Sequence, residues 1–424
     1  MNVRAVAELS PDERTALFDR DAGVADARGT ARDIVDRVRD EGDVALREFA
    51  EEFDGVTVGN IDISDEPARA AERLDDELLA HIERAAENVR AFHEAQLPDG
   101  WTREFDGREL GRRYRPLERV GAYVPGGTAA YPSSALMTVV PAKAAGVDHV
   151  AVATPPADKL NDATLAAIHV AGADAVYQVG GAQAVAALAY GTETVDRVQK
   201  VVGPGNRFVT AAKAAVREDC EIDFLAGPSE VLVLADDTAD PALVAADLLA
   251  QAEHDPNSSV VAVTPDEGLA EAVADACDRQ VTERERADVI EEALANEASG
   301  VFTTRSMSEA VLFAAEYAAE HLSIQAENDE ELLDRVGAGG SVFLGPYSPV
   351  AAGDYAAGPN HVLPTGGLAK TTGGLSVDHF LVPQTVQRLD RDALDGIADT
   401  VTALAEAEGL EAHAESVRKR FDEG

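Results

Sequence analysis

Cysteine is almost absent: two thiols, Cys220 and Cys277, stand far apart in 424 residues. That count and spacing exclude both a disulfide framework and a CxxC metal knuckle. No stretch approaches the roughly 18 uninterrupted apolar residues that a membrane-spanning helix requires. The opening Met1-Asn-Val-Arg-Ala-Val-Ala-Glu8 lacks an apolar signal core and carries an acid, so the expectation is a cytoplasmic protein with no membrane partner. Lysine is scarce as well, six residues against thirty arginines, and no fixed-period repeat or low-complexity tract interrupts the chain.

Apolar residues make up 46%, enough for extensive burial, and the length calls for two to four domains. Acids outnumber bases so far that the formal net charge is −42. A field of that sign repels phosphate, which excludes nucleic acid as a partner. The acids run along the whole chain and do not gather at one cationic-ligand site. They read as a coat that maintains solubility in concentrated salt, the mark of a halophilic source.

The first hundred residues show the three- and four-residue apolar spacing of helices, as in Asp26–Arg39 and in Ala68–Ala95 with Pro67 at its start. From Arg119 the rhythm changes. Short Val-rich runs end in Gly, Pro or Asp, and most lead into Ala-rich helical stretches. The runs are Val120–Val124, His149–Ala153, Ala175–Val179, Val198–Val202, Val231–Ala235, Ser259–Val263 and Ser341–Leu344. Strands alternating with helices predict an α/β fold with two doubly wound, incomplete Rossmann-like parallel-sheet units. Helical extensions precede and follow them, the last from about Thr385.

In such sheets ligands bind beyond the carboxyl ends of the strands. Three of those ends are Gly-rich: Val124 leads into Pro125-Gly126-Gly127, Val179 into Gly180-Gly181-Ala182-Gln183, and Val202 into Gly203-Pro204-Gly205-Asn206. They suit either tight turns or helix starts whose N–H groups receive phosphate. None matches G-x-G-x-x-G with an acid some 20 residues on, so any dinucleotide binds in another pose. The helix Asp240–His254 begins with Asp240 and Pro241, and Leu243, Val244 and Leu248 define one apolar arc. Gln251 and His254 continue that arc, and polar groups on a buried stripe cost on the order of 1–3 kcal/mol unless partnered. Their partner is either each other and the core, or a metal. Glu320-His321 is expected to end a helix opened by the capping box Ser306-Met-Ser-Glu309, as a charged helix end or a proton-transfer pair. The loop Gly353–Thr365 carries Asp354, Asn360 and His361 among Gly and Pro, either as plain surface or as a site loop. Glu408 and His413 sit in a polar segment that composition alone assigns to the surface.

Together these segments resemble histidinol dehydrogenase in order and spacing. The resemblance rests on Arg119-Val-Gly-Ala-Tyr-Val-Pro-Gly-Gly, Val179-Gly-Gly-Ala-Gln-Ala, Gly203-Pro-Gly-Asn, Ala226-Gly-Pro-Ser-Glu, Gln251-Ala-Glu-His, Glu320-His-Leu and Ala352-Gly-Asp-Tyr-Ala-Ala-Gly-Pro-Asn-His-Val-Leu-Pro-Thr. It covers nearly the whole chain, with minor departures at Pro359 and Lys370-Thr371. It implies a zinc- and NAD-dependent oxidation of L-histidinol to L-histidine in two hydride transfers through a bound aldehyde. Zinc would be held by Gln251, His254, Asp354 and His413. His321 would be the general base and Glu320 would activate water. Ser229, His361 and Glu408 would contact substrate beside Gln251, His254, His321, Asp354 and His413, while Tyr123, Gln183 and Asn206 would contact NAD. The family is a domain-swapped homodimer, so Glu408 and His413 would reach the site of a second copy.

The domains implied are an N-terminal extension (1–20), a first α/β domain with the metal and catalytic residues (21–122 plus 236–370), a second α/β domain on the NAD side (123–235), and a small helical C-terminal domain (371–424). Three rival readings leave residues unexplained. A relative acting on another small polar alcohol has no need of Glu408, His361 and His413 together. A zinc hydrolase using Glu320 leaves the Gly-rich ends idle, and a pure binding protein has no use for the Glu320-His321 pair.

Overall fold

The computed structural model describes residues 1–18, 20, 23–126 and 130–422; Gly127 lies outside the described residues. In chain order the strands are β1 (Val3–Ala5), β2 (Trp101–Phe105), β3 (Arg108–Pro116), β4 (Arg119–Tyr123), β5 (His149–Thr154), β6 (Ala175–Gln178), β7 (Lys200–Val202), β8 (Glu221–Ile222), β9 (Glu230–Ala235), β10 (Ser259–Thr264), β11 (Gly300–Thr303), β12 (His321–Gln325), β13 (Ser341–Leu344) and β14 (Leu381–Arg388). The chain forms two compact units, Met1–Gln96 with Leu117–Phe380, and Leu97–Pro116 with Leu381–Gly424.

The larger unit holds two parallel sheets, as the alternating pattern predicts. One has the order β1-β11-β10-β9-β12-β13 and the other β6-β5-β4-β7-β8. Every residue of β9 and β10 is buried, which is why these strands read as unbroken apolar runs. Their alternate residues feed two cores: Val231, Val233 and Ala235 pack with the helices Pro241–Ala252 and Glu267–Val281, while Leu232 and Leu234 pack with Met307–Tyr317. The strand order reverses between β9 and β12 in one sheet and between β4 and β7 in the other.

Several expectations are corrected. The stretch 68–95 is two helices, Glu66–Arg73 and Asp76–Glu94, because Asp75 turns extended and caps the second one through Glu77 N and Leu78 N. Leu243 is exposed and does not belong to the buried arc of its helix; Val244, Leu248 and Gln251 do. The smaller unit is not helical alone. Its sheet, ordered β14-β3-β2 and antiparallel, precedes the helices Arg391–Ala407 and Glu411–Arg418. The chain therefore turns helical at Arg391, not at Thr385.

Candidate active site

Glu320 and His321 do not end a helix. The helix Met307–Tyr317 stops where Ala318 turns left-handed (φ 49°), and His321 opens β12. At the other end half of the capping box forms: Ser306 Oγ accepts from Glu309 N at 3.3 Å, while the Glu309 carboxylate accepts from Arg305 N, one residue before the cap. His321 pairs with Val231 and Ser341 across the sheet. The pair thus stands at the amino edge of the six-stranded sheet, opposite to the edge that the doubly wound rule favours. The amino edge is also where the helix Pro241–Ala252, which follows β9, delivers Gln251 from its last turn and His254 from the turn just beyond its end. The helix Val350–Tyr355 packs against it and carries Asp354.

The contacts at this edge converge on two residues. The main-chain N–H of Glu230 donates to Glu320 Oε2 at 2.8 Å, and its carbonyl lies 3.1 Å from His321 Nδ1. His321 Nδ1 must carry the proton there, since a carbonyl only accepts. On the other side of the ring Nε2 lies 3.2 Å from Asp354 Oδ1, and Glu320 Oε2 is 3.7 Å from Nδ1. Both Glu320 and His321 are buried. Burial pushes the Glu320 carboxyl up to about 8. Burial opposes a charge on His321, but the carboxylates of Glu320 and Asp354 outweigh it and raise its pKa. Asp354 is lowered in turn: burial acts against its ionisation, and the hydrogen bond from His321 overcomes it.

Around this pair stand the other predicted residues. His361 Nδ1 donates to Asp354 O at 2.8 Å, and its Nε2 is 3.5 Å from Ser134 Oγ. Asn360 anchors the same loop through Met137 O at 2.7 Å and Val362 N at 2.8 Å. The loop is therefore tied to both halves of the larger unit and is not plain surface. Burial lowers the pKa of His361 and of His254, so both favour the neutral form; His254 also feels the charges of Asp354 and His321 while keeping an exposed surface. Gln251 is buried, and its Oε1 has no hydrogen-bond partner. Ser229 is half-buried beside Glu230. Glu408 and His413 belong to the smaller unit and are exposed there. Among the described residues no group of three or more His, Cys, Asp or Glu side chains is placed to hold a metal ion.

At the carboxyl ends of the five-stranded sheet, Tyr123 and Gln183 are buried and Asn206 is exposed. Tyr123 Oη accepts from Gly181 N at 3.1 Å, and burial pushes its phenol up to about 12. The Gly residues here answer close packing: a Cβ on Gly203, whose φ is +113°, would lie 2.3 Å from Tyr123 O, and one on Gly180 2.9 Å from Pro155. The two helix starts differ. Asn206 caps its own helix through Phe208 N and Val209 N, whereas the helix Gly181–Tyr190 has no side-chain cap. With Gly181 N given to Tyr123 Oη, the N–H groups of Ala182 and Gln183 are the ones that could receive an anion.

Sequence reasoning missed Glu230 and Arg20. Arg20 donates from Nε to Glu230 Oε1 at 2.7 Å and from Nη2 to Oε2 at 3.2 Å, with both side chains buried. The signal was a charge at the head of the otherwise apolar run Glu230-Val-Leu-Val-Leu-Ala, since a buried carboxylate demands a partner.

Comparison with known proteins agrees with this arrangement. The histidinol dehydrogenase family model matches residues 19–421. The histidinol dehydrogenases of Natronomonas pharaonis and Haloarcula marismortui are 72% and 71% identical to the chain over 422 residues, covering 100% of each sequence. The crystal structure of histidinol dehydrogenase from Elizabethkingia anophelis superposes with a TM-score of 0.93 at 36% identity, over 99% of this chain and 97% of that one. A match that spans both sheets, the amino-edge cluster and the smaller unit at this identity leaves one conclusion: the chain belongs to the histidinol dehydrogenase family.

Proposed function

We propose that the chain oxidises L-histidinol to L-histidine, using two NAD and one bound zinc ion, as a homodimer acting in L-histidine biosynthesis. The observation that carries this reading is the buried run of contacts from Glu320 through His321 to Asp354, with the unpartnered Gln251 Oε1 on the neighbouring helix. Zinc suits the donors. Gln251 offers an unused carbonyl oxygen, His254 is held neutral with a lone pair to give, and Asp354 is held ionised. One chain supplies these three, and His413 of a second copy would complete four. Zinc has no redox chemistry; bound, it would supply the positive charge that holds the substrate's imidazole and amino nitrogens.

The chain's own groups then divide the work. With Nδ1 committed to the Glu230 carbonyl, His321 exchanges protons through Nε2, which serves as base once the proton it shares with Asp354 has left. It takes the alcohol proton as hydride leaves the carbinol carbon for the first NAD, giving the aldehyde. Glu320 accepts a proton from water as it adds to that aldehyde; a buried carboxyl with raised proton affinity suits a base working near neutrality. The hydrate gives its proton to His321 and its hydride to the second NAD, leaving the carboxylate. The balance is alcohol, water and two NAD to carboxylate, two NADH and three protons. Ser229, His361 and Glu408 would grip the substrate beside the zinc donors, with Glu408 matched by charge to an ammonium group. NAD would meet Tyr123, Gln183 and Asn206, where the uncapped start of the helix Gly181–Tyr190 receives phosphate.

Glu320→Gln tests the division of roles. Single-turnover mixing should release the first NADH near the wild-type rate and slow the second by about 10²-fold or more. Equal slowing of both phases would refute a water-activating role for Glu320.

A further inference from the structure

Among the described residues, Glu230 alone has a main chain hydrogen-bonded to both side chains of the catalytic pair, through its N–H to Glu320 and its carbonyl to His321. Its side chain is clamped in turn. Arg20 grips both carboxylate oxygens, and Gly366 N donates to Oε1 at 2.7 Å, tying down the chain just beyond the site loop. Arg20 is itself fixed from several directions. Its Nη2 donates to Tyr317 O at 2.9 Å, its Nη1 to Leu17 O at 3.3 Å, and its guanidinium lies 3.7 Å from the Tyr317 ring centroid. Tyr317 Oη donates to Ser259 Oγ at 2.8 Å, and Ser259 N to Ser229 O at 3.0 Å, so the network returns to the residue before Glu230.

A buried ion pair is a poor device for stability alone, because apolar residues of similar volume commonly stabilise as well or better. Its place here serves another end. We propose that Arg20 and Glu230 are positioning residues for the oxidation: their buried pair locks the main chain of residue 230, and through it holds the Glu320 carboxyl and the His321 ring in register. This rests on the reading of Glu320 and His321 as the catalytic pair.

The test uses the full-length enzyme, with Glu230→Gln, Arg20→Met and the double variant Arg20→Met/Glu230→Met compared with wild type. Activity is measured well below each melting temperature, with zinc content determined beside it. The single variants leave one buried group unpaired and should melt earlier; the double variant should recover most of that loss. In all three, kcat should fall about 10–100-fold, the cost of a misplaced catalytic group, with KM for histidinol and NAD within about threefold and zinc unchanged. Recovery of kcat together with melting temperature in the double variant would overturn the proposal, as would wild-type kcat in the single variants. Crystal structures of the double variant give a readout that needs no turnover. The Glu320–Glu230 and His321–Glu230 contacts should lengthen or break, and their retention would also overturn the proposal. Wild-type enzyme that yields no NADH from histidinol would instead defeat the functional reading, and the crystallographic arm would still decide the positioning.

Discussion

A buried charge takes its behaviour from its partner, and Glu320 and Asp354 differ for that reason. Asp354 has an imidazole on one oxygen and is held ionised; Glu320 has one main-chain N–H and is driven toward its protonated form. Asp54 illustrates the same physics away from Glu320 and Asp354, where its charge acts on Tyr123. It closes the short turn Ala50–Asp54, its Oδ2 is buried without a partner, and burial pushes it up to about 6. An acid whose pKa rises on folding holds its proton more tightly when folded. The resulting stability is complete below the ordinary value near 3.8 and is lost as pH rises through 6. Asp54→Asn should therefore melt later than wild type at pH 8, by about 1 kcal/mol once solvent screening at this half-exposed site is discounted. At pH 5 the difference should narrow by about half. Thermal melts of both proteins at the two pH values check this, and a difference independent of pH would contradict it.

Elements with one strong apolar pattern were legible in the sequence, and those defined by geometry were not. The seven Val-rich runs are strands because both faces of a parallel sheet are covered. β12 escaped notice because its helix stops at Ala318, a non-Gly residue in the left-handed region, so the usual glycine signal is missing. Its alternation of His321, Ser323 and Gln325 with Leu322 and Ile324 was the available cue. β2, β3 and β14 are largely exposed, with apolar residues scattered among charged and polar ones, leaving no continuous apolar face to read. The Asp106-Gly107 turn, with φ of 50° and 81°, was a hairpin signal that went unused. The place of Glu320 and His321 at an amino edge could not follow from a rule about carboxyl ends. At the strand ends proposed to meet NAD, Gly203 packs directly against the Tyr123 backbone. Gly203→Ala forces a Cβ against the Tyr123 carbonyl and strains a φ of +113°. It should cost on the order of 1–3 kcal/mol and raise KM for NAD more than KM for histidinol. Unchanged melting and NAD affinity would show that these strand ends tolerate more than their packing implies.

At the scale of the whole molecule the dominant quantity is a net charge of −42. The bases, in pairs such as Arg73–Asp162 and Arg305–Glu309, are already counted in that figure, and what remains is self-repulsion of a solvated surface. Among the described residues no helix is long and apolar enough to cross a membrane. Salt should therefore stabilise the fold: the screening length falls from about 10 Å at 0.1 M to about 3 Å at 1 M. Melting temperature should rise by about 5 °C or more across that range, the size of a few kcal/mol in a chain this long. A flat or falling melting temperature would mean that the acids are compensated locally and that the halophilic reading fails.

The most direct test counts NADH formed per L-histidinol consumed, in high salt, before chelation, after it, and after zinc is restored. Two NADH per histidinol, lost with chelator and regained with zinc, is the predicted result. One NADH per histidinol, turnover untouched by metal removal, or activity only toward another alcohol would contradict the four-electron, zinc-dependent oxidation proposed for this chain.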